Sequence, residues 1–224
     1  VMKFGGTSVA NLNRIKNLQQ LVKKKICNGH KKIVVVVSAM SGVTNNLVKQ
    51  YRKIDYDISK PEYDVILSTG EQYSSALIST FLNKNGLKSR SILGWQIPIV
   101  TDDKFSQARI EKIDTENILK LFKKFNVLVV AGFQGISSEG RITTLGRGGS
   151  DTSAVALAVA LKSKTCEIYT DVEGIFSSDP RVVKGAKKIK NITYEEILEM
   201  ASLGSKVLHP RSVELAMKYD INIH

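Results

Sequence analysis

Short, uninterrupted apolar runs alternate along the chain with longer stretches whose apolar residues recur every three or four positions. Ile33 to Val37 and Val127 to Ala131 are runs of the first kind. They are rich in β-branched residues and lack polar alternation, the pattern of strands buried on both faces of a parallel sheet. Val1 to Phe4 and Cys166 to Thr170 also read as strands. Ile15, Leu18, Val22 and Ile26 fall at helical spacing, with Asn11 placed to cap that helix and Gly29 to end it. A further helix follows Thr44. After Pro61 another carries Tyr63 to Leu82 until Asn85-Gly86 closes it, although Gly70 in its interior lowers helix propensity. Short strands are expected over 89–111 around Pro98. Ile118, Leu121, Phe122 and Phe125 predict an amphipathic helix that Asp114 would cap.

Gly135 to Leu145 reads as a hairpin or loop excursion. Ser150 is expected to cap a helix from Thr152 to Leu161, apolar nearly all round and therefore fully buried. Helices over Tyr194 to Ala201 and Arg211 to Tyr219 follow, and Ile221 to Ile223 begins one more strand. A sequence stopping as a strand begins is expected of a shortened chain, or of one whose remainder is disordered. Strands alternating with helices predict an α/β fold, with a mostly parallel central sheet covered by helices on both faces. No internal repeat, low-complexity tract or Pro/Gly-rich linker interrupts the pattern, so residues 1–224 are expected to form one domain with two lobes around a cleft.

Composition narrows the class without naming a chemistry. A chain of 224 residues buries roughly 70% of its unfolded surface, enough for a core without disulfide or metal staples. The two cysteines, Cys27 and Cys166, stand far apart and offer neither a disulfide framework nor a zinc site, so a reducing cytoplasm is the expected setting. The longest apolar runs fall far short of the ~18 residues of a membrane span, and no charged-then-apolar leader opens the sequence. The net charge of +12 raises nucleic acid as a partner. The lysines are scattered over helix faces among Asp and Glu, with no RNA-binding aromatic signature or arginine-rich arm, which argues against it. A positive field would still gather small anionic substrates.

Four segments carry candidate chemistry. Lys3-Phe4-Gly5-Gly6-Thr7-Ser8 follows the first strand; its glycines would let backbone N–H groups approach a phosphate while Lys3 adds a point charge. On its own it reads equally well as a strand-to-helix turn. Ser38 to Thr44 follows the second strand, and ligands gather beyond the carboxyl ends of parallel strands. By itself this stretch is an ordinary Ser/Gly loop. Leu145 to Asp151 places three glycines and Arg147 before a helix N-terminus, an anion site in which arginine can grip a carboxylate with two prongs. Asp151 there can also be no more than a dipole-favoured residue of the first turn. Tyr169 to Arg181 supplies acids, hydroxyls and a turn suited to a nucleotide pocket, and as a bare pattern it is also a normal loop.

Several chemistries are excluded by what is missing. No GxxxxGK(S/T) phosphate loop and no GxGxxG occur; Gly146-Arg147-Gly148 approaches the latter, but Asp151 breaks it. Neither a protein-kinase catalytic loop nor a GxSxG nucleophile elbow is found. His30, His209 and His224 lack ligand spacing, so no metal site is indicated, and His209 before Pro210 reads as structural.

In order along the chain, KFGGTS at 3–8, SAMSGVTN at 38–45, STGEQ at 68–72, AGFQG at 131–135, LGRGGSDTSA at 145–154, YTDVEGIFSSDPR at 169–181 and ASLGSKVLHPRSVELA at 201–216 resemble the aspartate kinase family of the amino acid kinase superfamily. KFGGTS with GRGGSDTSA and KVLHPRSVE separates that family from glutamate, acetylglutamate, carbamate and uridylate kinases. The resemblance implies a three-layer sandwich that moves the γ-phosphoryl of ATP to the side-chain carboxylate of L-aspartate, opening lysine, threonine, methionine and diaminopimelate biosynthesis. It implies that Lys3, Gly5 and Gly6 cradle the phosphates. Ser38 and Thr44 would line the aspartate site, Glu71 would hold the substrate ammonium, and Arg147, with Ser150 nearby, the α-carboxylate. Asp151 would organise the catalytic lysine. Thr170, Asp171, Phe176, Ser177, Ser178, Asp179 and Arg181 would hold the nucleotide, and Lys206 would reach its phosphates. Mg²⁺ would be held mainly through ATP oxygens. The full-length protein is expected to form a homo-oligomer. The regulatory ACT-type domains or fused homoserine dehydrogenase of family members are not within these residues.

Overall fold

The computed structural model describes residues 1–179, 182–203 and 208–224. In chain order the elements are β1 (Met2–Phe4), a 3-10 turn (Gly6–Val9), α1 (Leu12–Cys27), β2 (Ile33–Val37), α2 (Val43–Tyr51) and α3 (Pro61–Lys84). There follow β3 (Ser89–Ile92), β4 (Ile99–Thr101), β5 (Ile110–Ile113), α4 (Thr115–Leu121), β6 (Val127–Ala131), β7 (Gln134–Ile136) and β8 (Ile142–Thr144). The last are α5 (Gly149–Ala160), β9 (Thr165–Tyr169), α6 (Tyr194–Ser202), α7 (Pro210–Lys218) and β10 (Asn222–Ile223).

Six strands form a parallel sheet in the order β10-β9-β1-β2-β6-β3. The two apolar runs of the sequence, β2 and β6, pair with each other near its middle and are buried throughout. Their alternate residues serve opposite layers, because successive side chains of a strand point to opposite faces. Ile33, Val35, Val37, Val127 and Val129 pack with Ile15, Leu18 and Val22 of α1 and Ile78 and Leu82 of α3. Val34, Val36, Leu128 and Val130 pack with Ala154, Val155, Leu157 and Ala158 of α5, Ile118 of α4 and Ala216 of α7. The α/β/α sandwich expected from the alternation is therefore what forms. Each fully buried Val or Leu contributes ~1.5–3 kcal/mol, so a charged residue at Val35 or Val129 would break a layer. A second sheet has the order β5-β4-β7-β8; β4 runs parallel to β7 and the outer pairs are antiparallel.

Local signals set the helix ends. Asn11 accepts the N–H of Arg14 at 3.1 Å, and Gly29, at φ +91°, closes α1 with the N–H of His30 on the carbonyl of Lys25. Asp114 caps α4 through the N–H of Glu116. That helix stops at Leu121, earlier than its apolar periodicity suggests. Phe122 and Phe125 continue in turns and still pack on the core, so the pattern reported burial rather than helix.

Two expectations need correction. Helix α2 starts at Val43 behind Gly42 in a left-handed conformation, one residue before Thr44. Ser150 does not cap α5: Gly148, at φ +70°, turns the chain into a helix that already begins at Gly149. Ser150 is buried in the first turn, against Gly132, where a Cβ would meet the Ser150 Cβ at 2.9 Å. Gly70 has its reason in packing: a Cβ there would lie 2.7 Å from that of Ala39, so its absence lets α3 approach the segment after β2.

Candidate active site

Strands β9, β1, β2 and β6 are parallel neighbours, so their carboxyl ends lie along one edge. Each exit loop is tied to the next strand over. The N–H of Gly5 donates to the carbonyl of Tyr169 at 3.1 Å, that of Ser38 to Phe4 at 3.1 Å, and that of Gly132 to Val37 at 3.0 Å. Segments far apart in the sequence thus become one continuous rim, the place where open α/β sheets gather ligands.

Lys3 leaves β1 beside Val36 and Ile168, on the face covered by α5. Its Nζ lies 2.6 Å from Oδ1 of Asp151, in the first turn of α5, and both side chains are nearly buried. Oδ1 of Asp151 receives no hydrogen bond besides this ion pair among the described residues. The arrangement fixes an ammonium at the rim, where it can face an anion. Gly5 and Gly6 follow. Gly5 spends its N–H on Tyr169, and a Cβ there would stand 3.6 Å from the lysine ammonium. At Gly6 a Cβ would sit 2.7 Å from the carbonyl oxygen of Ala39, so only glycine allows the first two exit loops to touch.

Ala39 also donates its N–H to Oε1 of Glu71 at 3.0 Å. Glu71 lies in the middle of α3, 3% exposed, and its second oxygen, Oε2, has no donor among the described residues. Burial pushes its carboxyl up to about 7, against the lowering effect of the Ala39 N–H. An ionised Glu71 can therefore accept a further hydrogen bond from a cationic group. Ser38 is half-buried at the end of β2, its carbonyl accepting the Ser74 hydroxyl at 2.8 Å. Thr44 is half-buried in the first turn of α2.

Arg147 is exposed between two left-handed glycines, Gly146 at φ +74° and Gly148 at φ +70°, and forms no ion pair among the described residues. The start of α7 packs on this loop. A Cβ at Gly148 would overlap that of His209 at 2.3 Å, and Nη1 of Arg211 donates to the carbonyl of Leu145 at 3.1 Å. Burial, then the nearby Arg211 charge, holds the His209 imidazole below its usual range, and its Nδ1 is buried without a partner among the described residues. The sequence marked His209 as structural; the contact with Gly148 places it against the N-terminus of α5.

Thr170 and Asp171 follow β9 in the open, the Thr170 hydroxyl donating to Asp171 at 3.0 Å. Phe176 pairs with Lys188, and Ser177 exchanges hydrogen bonds with Lys187. Ser178 and Asp179 are exposed in the same excursion, the Asp179 carbonyl accepting the N–H groups of Val182 and Val183. Arg181 and Lys206 lie outside the described residues. The structure thus pairs Lys3 with Asp151 directly and links Gly6 and Glu71 through Ala39, and Ser38 to β1 through Phe4, whereas among the described residues the backbone hydrogen bonds of Phe176 to Asp179 run within 175–189. Sequence reasoning missed Asp64, a buried carboxylate that accepts from Ser106 and Thr144. Its position in the first turn of α3 gave only a dipole signal. Among the described residues no three acidic, histidine or cysteine side chains gather to hold a metal, and no helix is long and apolar enough to cross a membrane.

Residues 1–224 match the amino acid kinase family. An aspartokinase of Rickettsia felis is 50% identical over the whole chain, which covers 56% of that protein. The aspartate kinase from Synechocystis superposes with a TM-score of 0.85 at 48% identity, over 99% of this chain and 37% of that one. Aspartokinase III of E. coli, in complex with aspartate and ADP, superposes at 0.86 with 30% identity, over 99% of this chain and 60% of that one. The chain spans about half the length of the curated relatives it matches. Its parallel sheet, its helical layers and a match over every residue place it plainly: the chain belongs to the amino acid kinase family.

Proposed function

We propose that this chain is the catalytic domain of an aspartate kinase, transferring the γ-phosphoryl group of ATP to the β-carboxylate of L-aspartate. One observation carries the reading: Gly6 and Glu71 contact two sides of the same residue, Ala39. A phosphate held on the glycine loop and an ammonium held on Glu71 would therefore be neighbours. Relatives called aspartokinase and the E. coli complex with aspartate and ADP support the choice of substrates.

The aspartate β-carboxylate has a pKa of about 4 and is ionised at neutral pH, so the reaction needs no strong base. The task is to bring two anions into line and offset their repulsion. Lys3, held by Asp151, supplies charge beside the transferring group. Glu71 would take the substrate ammonium and Arg147, with Ser150 nearby, the α-carboxylate; Ser38 and Thr44 would line the same site. Thr170, Asp171 and the stretch from Phe176 to Arg181 would hold the nucleotide, with Lys206 on its phosphates. Mg²⁺ would arrive on the ATP oxygens and neutralise phosphate charge there. The product feeds the amino-acid biosynthesis that begins with 4-phospho-L-aspartate, and the setting is cytoplasmic.

The full-length protein should release ADP from MgATP only when aspartate is present, and added hydroxylamine should trap the acyl phosphate as aspartyl hydroxamate. A folded sample that forms no hydroxamate, or that prefers glutamate or UMP, would overturn the reading.

A further inference from the structure

Asp64 is fully buried in the first turn of α3, on the same helix as Glu71. At ~100° per residue the seven-residue step from one to the other makes nearly two turns, so both carboxylates project from one face. Asp64 accepts the Ser106 N–H on both oxygens, at 2.9 and 3.0 Å, the Thr144 N–H at 2.6 Å and the Thr144 hydroxyl at 2.8 Å. The two backbone N–H groups can only donate and between them reach both oxygens, and the Thr144 hydroxyl is placed to donate as well, so the site accommodates the ionised acid. Burial pushes its pKa up and the same hydrogen bonds oppose that shift. No ion pair to Asp64 is present among the described residues. A carboxylate buried among neutral donors is an expensive choice where an apolar or amide side chain would serve simple packing.

What the donors carry gives the reason. Thr144 ends β8 and leads into Leu145, Gly146 and Arg147. Ser106, at φ +66°, lies against the same loop: a Cβ on Gly146 would come within 2.9 Å of the Ser106 carbonyl oxygen. Asp64 therefore grips the base of the Arg147 loop by two routes, one along the chain through Thr144 and one across space through Ser106. Both routes start from the helix that holds Glu71.

We propose that Asp64 is a positioning residue for the amino-acid substrate, fixing the separation between Glu71 and the Arg147 loop. This rests on the reading that Glu71 and Arg147 take the ammonium and the α-carboxylate. Those two groups share one carbon in any α-amino acid, so a small drift between their partners weakens the grip on aspartate, while the phosphate loop on β1 has no share in the Asp64 network.

The test is steady-state kinetics on the full-length enzyme with aspartate and MgATP varied separately. In Asp64→Asn the amide must turn a donor toward an N–H group; aspartate KM is expected to rise about tenfold or more while ATP KM stays within about twofold. Thr144→Val removes the hydroxyl bond alone and should raise aspartate KM about threefold, and Thr144→Ser, which restores the hydroxyl, should return it to within about twofold of wild type. The Thr144 pair decides the matter if Asp64→Asn shows no cooperative melting transition. Parallel rises in both KM values, or an unchanged aspartate KM in the folded variants, would assign Asp64 to stability alone and overturn the proposal. A wild-type enzyme without aspartate phosphorylation would instead overturn the reading beneath it.

Discussion

Asp151, in the first turn of α5, sets its Oδ1 2.6 Å from Nζ of Lys3 on β1, and the pair is nearly buried at the rim of the sheet. Removing either partner strands the other charge, which in fully buried pairs costs about 3–5 kcal/mol. Lys3→Met and Asp151→Asn should each lower turnover about a hundredfold or more, as loss of a preorganised electrostatic contact does. Thermal unfolding separates catalysis from folding here. The double variant Lys3→Met/Asp151→Leu should melt above either Lys3→Met or Asp151→Leu alone while remaining inactive. Retained turnover in Asp151→Asn would reduce the carboxylate to a residue of the helix start.

Glu71 makes aspartate binding depend on pH. Its carboxyl is pushed up to about 7, so the ionised form gains as pH rises through neutrality. Aspartate KM should therefore fall between about pH 6 and about pH 8, and Glu71→Gln should weaken binding and flatten that slope. The same shift acts on stability with the opposite consequence for the enzyme. A carboxyl whose folded pKa is raised favours the fold below its unfolded value near 4.5, and that contribution is lost as pH rises through about 7. Glu71→Gln should gain stability relative to wild type at alkaline pH, by up to about 3 kcal/mol, measured by denaturant unfolding at two pH values.

Two glycines separate backbone strain from contact. Gly29 has φ +91° with nothing within 4 Å of an added Cβ, whereas Gly148 has φ +70° and a Cβ that would meet His209 at 2.3 Å. Gly29→Ala should cost about 1 kcal/mol from the left-handed backbone alone. Gly148→Ala should cost about 1–3 kcal/mol more, because α7 must move off the α5 N-terminus, and should lower activity as Arg147 shifts. Equal melting temperatures for the two variants would show that the contact is relieved without consequence.

The layers were legible because β2 and β6 are apolar on both faces and the helices are apolar on one. The helix starts were less so. Gly148 caps α5 by conformation, which no residue-type pattern around Ser150 distinguishes from a hydroxyl cap. The site was legible as segments rather than as an arrangement. Lys3 and Asp151 each stood in a glycine-rich motif, but their contact depends on α5 covering the face from which Lys3 projects. The partner of Glu71 is a backbone N–H on another exit loop, so nothing in STGEQ announces it. Asp64 was missed for a similar reason: acids in a first helical turn are common, and the donors that give this one its role lie on β8 and on the turn before β5.

The convergence of the exit loops on one site is tested most directly by a crystal structure of the full-length protein with a non-hydrolysable ATP analogue and aspartate. The expected result is an aspartate ammonium within about 3 Å of Oε2 of Glu71 and nucleotide phosphates beside Lys3 and Gly6. Aspartate or nucleotide bound at the opposite edge of the sheet, with Oε2 of Glu71 still lacking a donor, would contradict it.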